Sequence, residues 1–391
     1  MDRDFSRLDA YLDENGLDGY LLDADSETAN QYYLSGFDAP DPFLTLYTPD
    51  QTAILTSPLE YGRAREKSRA TDVRRFDEYD YRAKQAEHGR ETARGMVVAE
   101  FLSEFGVESV ATDRRFPLFT ADSLRGRGFG VRADLEDVIE AIRATKTETE
   151  LEHIREAQAA NEAAMREAES MIAAADIGPE GTLTLDGDVL TSERLKTAIE
   201  RALLDRGFAL EDTIVASGAQ AASPHESGSG PIAAGEPIIV DIFPQSKRTR
   251  YHADMTRTFL RGDPTERVAD FYEATAEAKA AAMETVEAGV TGAAVHDAVC
   301  DVYEAAGYPT LRADESTETG FIHTTGHGVG LEVHERPQVS PAGGELEPGH
   351  VITIEPGLYD PEVGGVRIED LLLVTEDGYE NLTDYPETLI V

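Results

Sequence analysis

The sequence is poor in cysteine and in long apolar segments, and each shortage excludes a class of protein. Cys300 is the only cysteine, so no disulfide can form within the chain. No apolar run approaches the roughly 18 residues of a membrane-spanning helix. The opening MDRDFSRLDA also lacks the basic and apolar pattern of a secretion signal. We therefore expect a cytoplasmic protein in which Cys300, within an apolar helical stretch, has a packing role.

Basic residues are also scarce, because 35 Lys and Arg oppose 76 Asp and Glu and give a net charge of -41. Repulsion at this charge excludes nucleic acid and anionic membrane as partners. The acidic residues run from Asp2 to Glu387 without a long block, and only six of the basic residues are lysines. This distribution favours an acidic surface adapted to high salt over an acidic interaction tail, so we expect a halophilic source.

The length of 391 residues predicts two domains, because one hydrophobic core rarely organises so long a chain. Residues 1–140 alternate predicted helices with short apolar strands, which is typical of a small α/β domain. Residues 145–391 form the predicted second domain. It begins with a long helix, for which Thr147 and Glu150 have capping-box spacing. The Gly-rich polar stretch 177–191 predicts a loop or a hairpin.

Two aspartates provide the first candidate ligands. Asp241 ends a buried apolar strand, and Asp254 lies thirteen positions on in a second predicted strand. Carboxylates on adjacent strands can point the same way. An aspartate at a strand end is also a common turn former, so this pair alone does not predict a metal site.

Further candidates lie downstream. His327 stands between two glycines, and His323 and His334 flank it in a chain with 9 histidines. Glu355 and Glu369 each lie in an apolar, strand-like run, where an ionised carboxylate is costly unless a positive charge compensates it. Four carboxylates and one imidazole suit Mn²⁺, Co²⁺, Fe²⁺ or Zn²⁺. One divalent ion does not need four anionic ligands, so the set predicts two ions.

Five motifs, VDIF, HADMTRTF, GHGVGLEVHE, TIEPGLY and GVRIED, occur in this order. With them the chain resembles the pita-bread metallopeptidases, in particular the prolidase and aminopeptidase P branch. The resemblance implies an α+β fold, in which a small α/β creatinase-type N-terminal domain precedes a pita-bread catalytic domain with a curved antiparallel sheet. It also implies hydrolysis of the bond preceding proline, in Xaa-Pro dipeptides or at the N-terminus of Xaa-Pro peptides. A short peptide substrate and a homodimer follow from the same resemblance.

The resemblance assigns the five metal ligands. Asp241 would bind one metal, Asp254 and Glu369 would bridge both, and His327 and Glu355 would complete the shell of the other. Glu355 would also carry a proton from the attacking water to the leaving amine. Two divalent ions are expected, Mn²⁺ or Co²⁺ before Zn²⁺ or Fe²⁺.

Three more residues match positions around the substrate. His225 would lie near the scissile bond, and His334 would steady the substrate carbonyl. Arg367 would share a strand face with Glu369 and orient a ligand carboxylate or the substrate. The ordinary alternatives are a loop histidine, a packed histidine and a surface salt bridge.

The sequence departs from the family pattern at two places, and it leaves three rival functions possible. The spacing from Asp241 to Asp254 is two residues longer than the commonest one, and the 177–191 stretch is longer than the usual connection. The rivals are an inactive pita-bread module that binds peptide or protein, a methionine aminopeptidase-like enzyme, and a creatinase-like hydrolase without metal. The sequence does not decide between a dipeptidase and an aminopeptidase P.

Overall fold

The computed structural model describes residues 3–391, which divide into two compact units between Arg143 and Ala144. None of the helices in residues 3–391 combines the length and the apolar character that a membrane crossing requires.

The N-terminal unit is built on one six-stranded sheet of order β4-β3-β2-β1-β5-β6. Its strands are β1 (Gly19–Ala24), β2 (Phe43–Thr48), β3 (Gln51–Thr56), β4 (Asp72–Arg75), β5 (Ser109–Thr112) and β6 (Gly130–Ala133). Its helices are α1 (Ser6–Asn15), α2 (Ala29–Ser35), α3 (Tyr61–Lys67), α4 (Tyr81–His88), α5 (Arg90–Glu104), α6 (Leu118–Arg125) and α7 (Val138–Ala144). Strands β1 to β3 pair antiparallel, and the other three join in parallel. Helices packed on a mixed sheet make this the expected α/β domain.

Four helices organise the C-terminal unit: α8 (Glu148–Ala173), α9 (Ser192–Leu204), α10 (Glu266–Thr285) and α11 (Gly292–Ala305). Each begins after a threonine whose hydroxyl accepts a hydrogen bond from the backbone N–H three residues on. This contact satisfies an N–H group that the helix itself leaves without an acceptor. Thr147 and Glu150 complete the predicted capping box at the start of α8.

Antiparallel strands form the rest of this unit. They are β7 (Asp176–Ile177), β8 (Leu183–Leu185), β9 (Asp188–Val189), β10 (Phe208–Ala209), β11 (Ile214–Ser217), β12 (Ile238–Ile242), β13 (Gln245–Ser246), β14 (Met255–Phe259), β15 (Gly326–Gly328), β16 (Glu335–Val339), β17 (Val351–Ile354), β18 (Gly357–Asp360), β19 (Gly364–Arg367), β20 (Asp370–Thr375) and β21 (Gly378–Asn381). The main sheets are three-stranded, β11-β12-β14, and five-stranded, β16-β15-β17-β20-β21. The antiparallel sheet expected from the sequence is thus present in two parts.

Each main sheet carries its own pair of helices. Helices α8 and α9 pack on the three-stranded sheet, with Met165 and Val240 in their shared core. Helices α10 and α11 pack on the five-stranded sheet in a core that contains Ile352. Cys300 is buried in that second core, where burial raises the pKa of its thiol to about 11. A neutral thiol among apolar side chains agrees with the packing role predicted for Cys300.

The 177–191 stretch folds as two consecutive hairpins, so the loop or hairpin prediction understated its order. Strands β7, β8 and β9 form a small antiparallel sheet. The turn between β8 and β9 consists of Asp186 and Gly187, both with positive φ. An Asp-Gly pair is the usual solution for such a two-residue turn, because its twist matches that of the strands.

Candidate metal centre

The apolar segment 238–242 places Asp241 in the middle of the three-stranded sheet. Strand β12 is paired on both sides, by β11 and β14, and it is buried along its whole length. Asp241 is the fourth of its five residues, not its end as predicted, and lies opposite Thr256. Asp254 immediately precedes β14 and is also buried. The sequence prediction that Asp254 lies inside the second strand is therefore wrong by one position, because regular pairing begins at Met255.

His327 lies in the short strand β15, between β16 and β17 of the five-stranded sheet. A Cβ on Gly326 would stand 2.0 Å from the carbonyl oxygen of Thr353, and one on Gly328 would stand 2.1 Å from that of Arg336. Only glycine permits this close approach of the neighbouring strands. A register shift between His327 and Gly328 locally interrupts the ladder, and irregularities of this kind commonly redirect a side chain.

Glu355 and Glu369 lie at one end of an antiparallel pair. Strand β17 ends at Ile354, and β20 begins at Asp370, its partner in the register. Glu355 follows the one and Glu369 precedes the other, so both lie at the same edge of the sheet. The prediction that both lie inside strands is wrong, since each stands just beyond the end of one.

The three-stranded and five-stranded sheets bring these side chains together. One ligand atom each of Asp254, His327 and Glu369 lie within 4.8 Å of one another. His327 Nε2 stands 3.7 Å from Asp254 Oδ2 and 3.4 Å from Glu355 Oε1. Four of the five predicted ligands thus converge by direct contacts, and Asp241 reaches the group through Arg367, as described below.

The carboxylates of this cluster carry negative charge that the imidazole of His327 does not neutralise. Burial, and then the charge of Glu369, raises the pKa of Asp254 well above its usual range. Burial, and then the charge of Glu355, does the same to the pKa of Glu369. Burial lowers the pKa of His327 to about 3, so its imidazole is neutral at physiological pH and cannot compensate the carboxylates.

Arg367 is a cation that contacts the side chain of one of these ligands directly. It is buried, and its Nη2 donates to Asp241 Oδ2 at 2.7 Å. Its Nε donates to Thr256 Oγ1 at 3.2 Å, and Thr256 Oγ1 donates to Glu369 Oε2 at 2.8 Å. Arg367 therefore orients a ligand carboxylate, although it ends β19 and does not share a strand with Glu369 as predicted.

The histidines around the cluster differ in exposure. His334 is exposed, and its ring centroid lies 4.2 Å from that of His327. His225 is also exposed, and Arg367 Nη1 donates to the carbonyl of the preceding Pro224 at 3.3 Å. Burial, and then the charge of His225, lowers the pKa of His334, so the two rings are close enough to influence each other. Both predicted substrate histidines thus lie at the accessible side of the cluster.

His323 and Tyr359 belong to the site, although sequence reasoning gave neither a role. Arg367 Nη1 donates to Tyr359 Oη at 2.9 Å, and His323 Nε2 lies 3.0 Å from the same oxygen. Burial, and then the charge of Arg367, lowers the pKa of His323 to about 3. The spacing of His323 and His327, four residues apart in the sequence, was the signal that could have found the first of them.

The donor set fits divalent cations. Asp241 Oδ1 and Glu369 Oε1 are buried and have no hydrogen-bond partner among residues 3–391. Buried carboxylate oxygens are normally bonded, and carboxylates with one imidazole are the donors that Mn²⁺, Co²⁺, Fe²⁺ or Zn²⁺ accept. Cations would satisfy these oxygens and the excess negative charge together.

Comparison with known proteins agrees with this donor set. The sequence profile of metallopeptidase family M24 matches residues 152–376, and that of the creatinase/prolidase N-terminal domain matches residues 5–145. The chain belongs to metallopeptidase family M24. Members of this family are metal-dependent peptidases that use divalent ions.

Relatives within family M24 match over the whole chain. A Xaa-Pro dipeptidase of Pyrococcus horikoshii is 30% identical over 397 residues, which cover 100% of this chain and 99% of the relative. The crystal structure of the prolidase from the same organism superposes with a TM-score of 0.79 at 29% identity, covering 98% of this chain and 99% of that one. A Xaa-Pro dipeptidase structure from Bacillus anthracis gives a TM-score of 0.81 at 25% identity, with 99% of each chain covered. The predicted family and fold class are therefore confirmed.

The first departure from the family pattern lies between two of the ligands. Between Asp241 and Asp254 the chain forms β13 and a turn in which Arg250 has a φ of +66°. Both aspartates are buried although this longer segment separates them.

Proposed function

We propose that this chain hydrolyses the peptide bond preceding proline in Xaa-Pro dipeptides, with release of an N-terminal residue from longer Xaa-Pro peptides as the second activity. The observation that carries the proposal is the convergence of Asp254, His327 and Glu369 within 4.8 Å in a chain of family M24. The names of the relatives support the substrate. Neither the donor set nor the relatives favour an inactive binding module or a methionine aminopeptidase.

Asp241, Asp254, His327, Glu355 and Glu369 would hold two divalent ions, Mn²⁺ or Co²⁺ before Zn²⁺ or Fe²⁺. The neutral imidazole of His327 and the oxygen-rich remainder support this choice. Bound ions would polarise the scissile carbonyl and lower the pKa of water. Arg367 would orient Asp241 through their 2.7 Å contact.

Glu355 is the proposed general base and acid. In the metal-free protein, burial raises the pKa of its carboxyl group to about 8. Bound cations would favour the carboxylate, which is the form that can accept a proton from water. It would take a proton from the attacking water and deliver it to the leaving proline nitrogen. The exposed imidazoles of His334 and His225 would donate hydrogen bonds to the substrate carbonyl and steady the charge that develops there.

The setting of the enzyme is part of the proposal. The net charge of -41 supports function in the concentrated salt of a halophile's cytoplasm and argues against nucleic acid and membrane partners. A short peptide is the proposed partner in the site, and a homodimer is the proposed assembly.

Metal analysis and peptide hydrolysis in concentrated KCl test the proposal together. Protein stripped with EDTA is reloaded with Mn²⁺ or Co²⁺ and offered Ala-Pro, Ala-Ala and a longer Ala-Pro peptide. Two bound ions and cleavage of Ala-Pro alone would support a dipeptidase, and cleavage of the longer peptide would support the second activity. Preference for Ala-Ala, or hydrolysis that is unchanged after stripping, would refute the proposal.

A further inference from the structure

A buried arginine on β14 contacts the backbone of Glu369. The side chain of Arg257 is 1% exposed, and its Nη1 donates to the carbonyls of Glu369 at 2.5 Å and of Thr256 at 3.0 Å. Its Nη2 donates to Asp370 Oδ1 and to the carbonyl of Tyr385, and its Nε to that of Pro386. These contacts occupy all five N–H donors of a guanidinium group.

Thr256 holds the same glutamate from the other side. The N–H of Glu369 donates to the carbonyl of Thr256 at 3.1 Å, and Thr256 Oγ1 donates to Glu369 Oε2 at 2.8 Å. The backbone N–H, the carbonyl and one carboxylate oxygen of Glu369 are therefore all bound to the Thr256-Arg257 dipeptide. The other oxygen, Oε1, is the one that has no hydrogen-bond partner in residues 3–391.

A second buried cation anchors the arginine. Asp370 binds Arg257 with one carboxylate oxygen and Lys279 Nζ with the other, at 2.6 Å. The side chain of Lys279 is 2% exposed, and its Nζ also stands 2.5 Å from Glu387 Oε1. Two cations and two carboxylates balance, so this network keeps a guanidinium buried that would be costly alone.

We propose that Thr256 and Arg257 are positioning residues of the metal centre, which fix the backbone and the carboxylate of Glu369. This inference rests on Glu369 being a metal ligand, as in the proposed function. A lysine at position 257 would keep the charge but not the planar fork that binds two carbonyls at once. A valine at position 256 would keep the shape but lose the hydroxyl that binds Oε2.

Calorimetric titration of the stripped protein with Mn²⁺ in concentrated KCl tests this inference. We expect Arg257→Lys and Thr256→Val to weaken at least one Mn²⁺ site by about 10- to 100-fold, the usual effect of losing a group that orients a ligand. Thr256→Ser should bind Mn²⁺ like the unaltered protein, because its hydroxyl can still donate to Oε2.

Arg261→Lys is the matched control. Arg261 is partly buried near the end of the same strand, and it also donates to backbone carbonyls, those of Ala175 at 3.1 Å and Val391 at 3.3 Å. No hydrogen bond or ion pair joins Arg261 to the proposed ligands in residues 3–391, so its replacement should leave Mn²⁺ binding unchanged.

Unaltered Mn²⁺ constants in folded Arg257→Lys and Thr256→Val, or an equal loss in Arg261→Lys, would overturn the inference alone. If Arg257→Lys does not fold, the comparison of Thr256→Val with Thr256→Ser decides. Failure of the unaltered protein to bind Mn²⁺ or Co²⁺ would overturn the proposed function as well, so the two failures are distinguishable.

Discussion

Replacement of Glu355 by glutamine should stabilise the metal-free protein at alkaline pH while it abolishes catalysis. Burial raises the pKa of Glu355 from 4.5 to about 8 in the folded protein. The folded state therefore holds this proton more tightly than the unfolded chain does. Glutamine has nearly the same shape and stays neutral at every pH, so the variant avoids the cost of ionisation in the folded state.

The sign and size of the effect follow from linkage between protonation and folding. Below about pH 4 both states carry the proton, and Glu355 does not change the free energy of unfolding. As the pH rises from 4.5 to 8 only the unfolded chain ionises, and stability falls. At about 1.4 kcal/mol per pKa unit, the loss that glutamine avoids is about 3 kcal/mol at pH 7 and about 5 kcal/mol at pH 9.

Urea unfolding of EDTA-stripped protein in molar KCl measures this difference, because urea leaves the ionic strength constant. The free energies of unfolding of the unaltered protein and of Glu355→Gln should diverge between pH 5 and pH 9. Glu376→Gln removes an exposed carboxylate, and its free energy of unfolding should stay parallel to that of the unaltered protein over the same pH range. An equal difference at both pH values, or a gain in Glu376→Gln as large as in Glu355→Gln, would refute the reasoning.

Three further predictions concern other parts of the site. Asp254→Asn should reduce bound metal, measured by plasma emission, and lower kcat/KM by more than about 100-fold, because loss of a ligand exceeds loss of an orienting group. His225→Ala should lower kcat/KM for Ala-Pro by about 100-fold, as loss of one donor to a developing charge does. Its metal content and urea midpoint should not change, because His225 is exposed. Lys146→Met removes the ammonium that buried Glu335 contacts at 2.8 Å and should lower the free energy of unfolding by about 3–5 kcal/mol. Urea unfolding measures this loss, and adding Glu335→Gln should restore part of it.

Residue types, their order along the chain and the family resemblance were enough to name the cluster of Asp254, His327, Glu355 and Glu369, because an ionised glutamate in an apolar run needs compensation wherever it folds. The same information placed Glu355 and Glu369 inside strands, and the structure places them one residue beyond strand ends. The end of a strand is set by where its partner strand stops pairing. The hydrophobic pattern of one strand does not contain this information, so its ends are hard to predict from sequence.

The contacts that hold the site residues in place could not be predicted from the sequence, for a related reason. Tyr359 reads as one more apolar strand residue, yet its hydroxyl joins His323 to Arg367. The alternation of its strand predicts that Arg257 faces solvent, yet Arg257 is buried against the carbonyl of Glu369. Both roles depend on segments about 10 to 130 residues away that come close only in the folded chain.

The division of the site between two sheets has a mechanical consequence. Asp241 and Asp254 extend from the three-stranded sheet, and His327, Glu355 and Glu369 from the five-stranded one, each sheet with its own helices and core. A cation bound by both groups would link the two sheets across the seam between them. We therefore expect chelation to loosen the seam before either core melts, so that amide protons beside Asp254 and Glu369 exchange first.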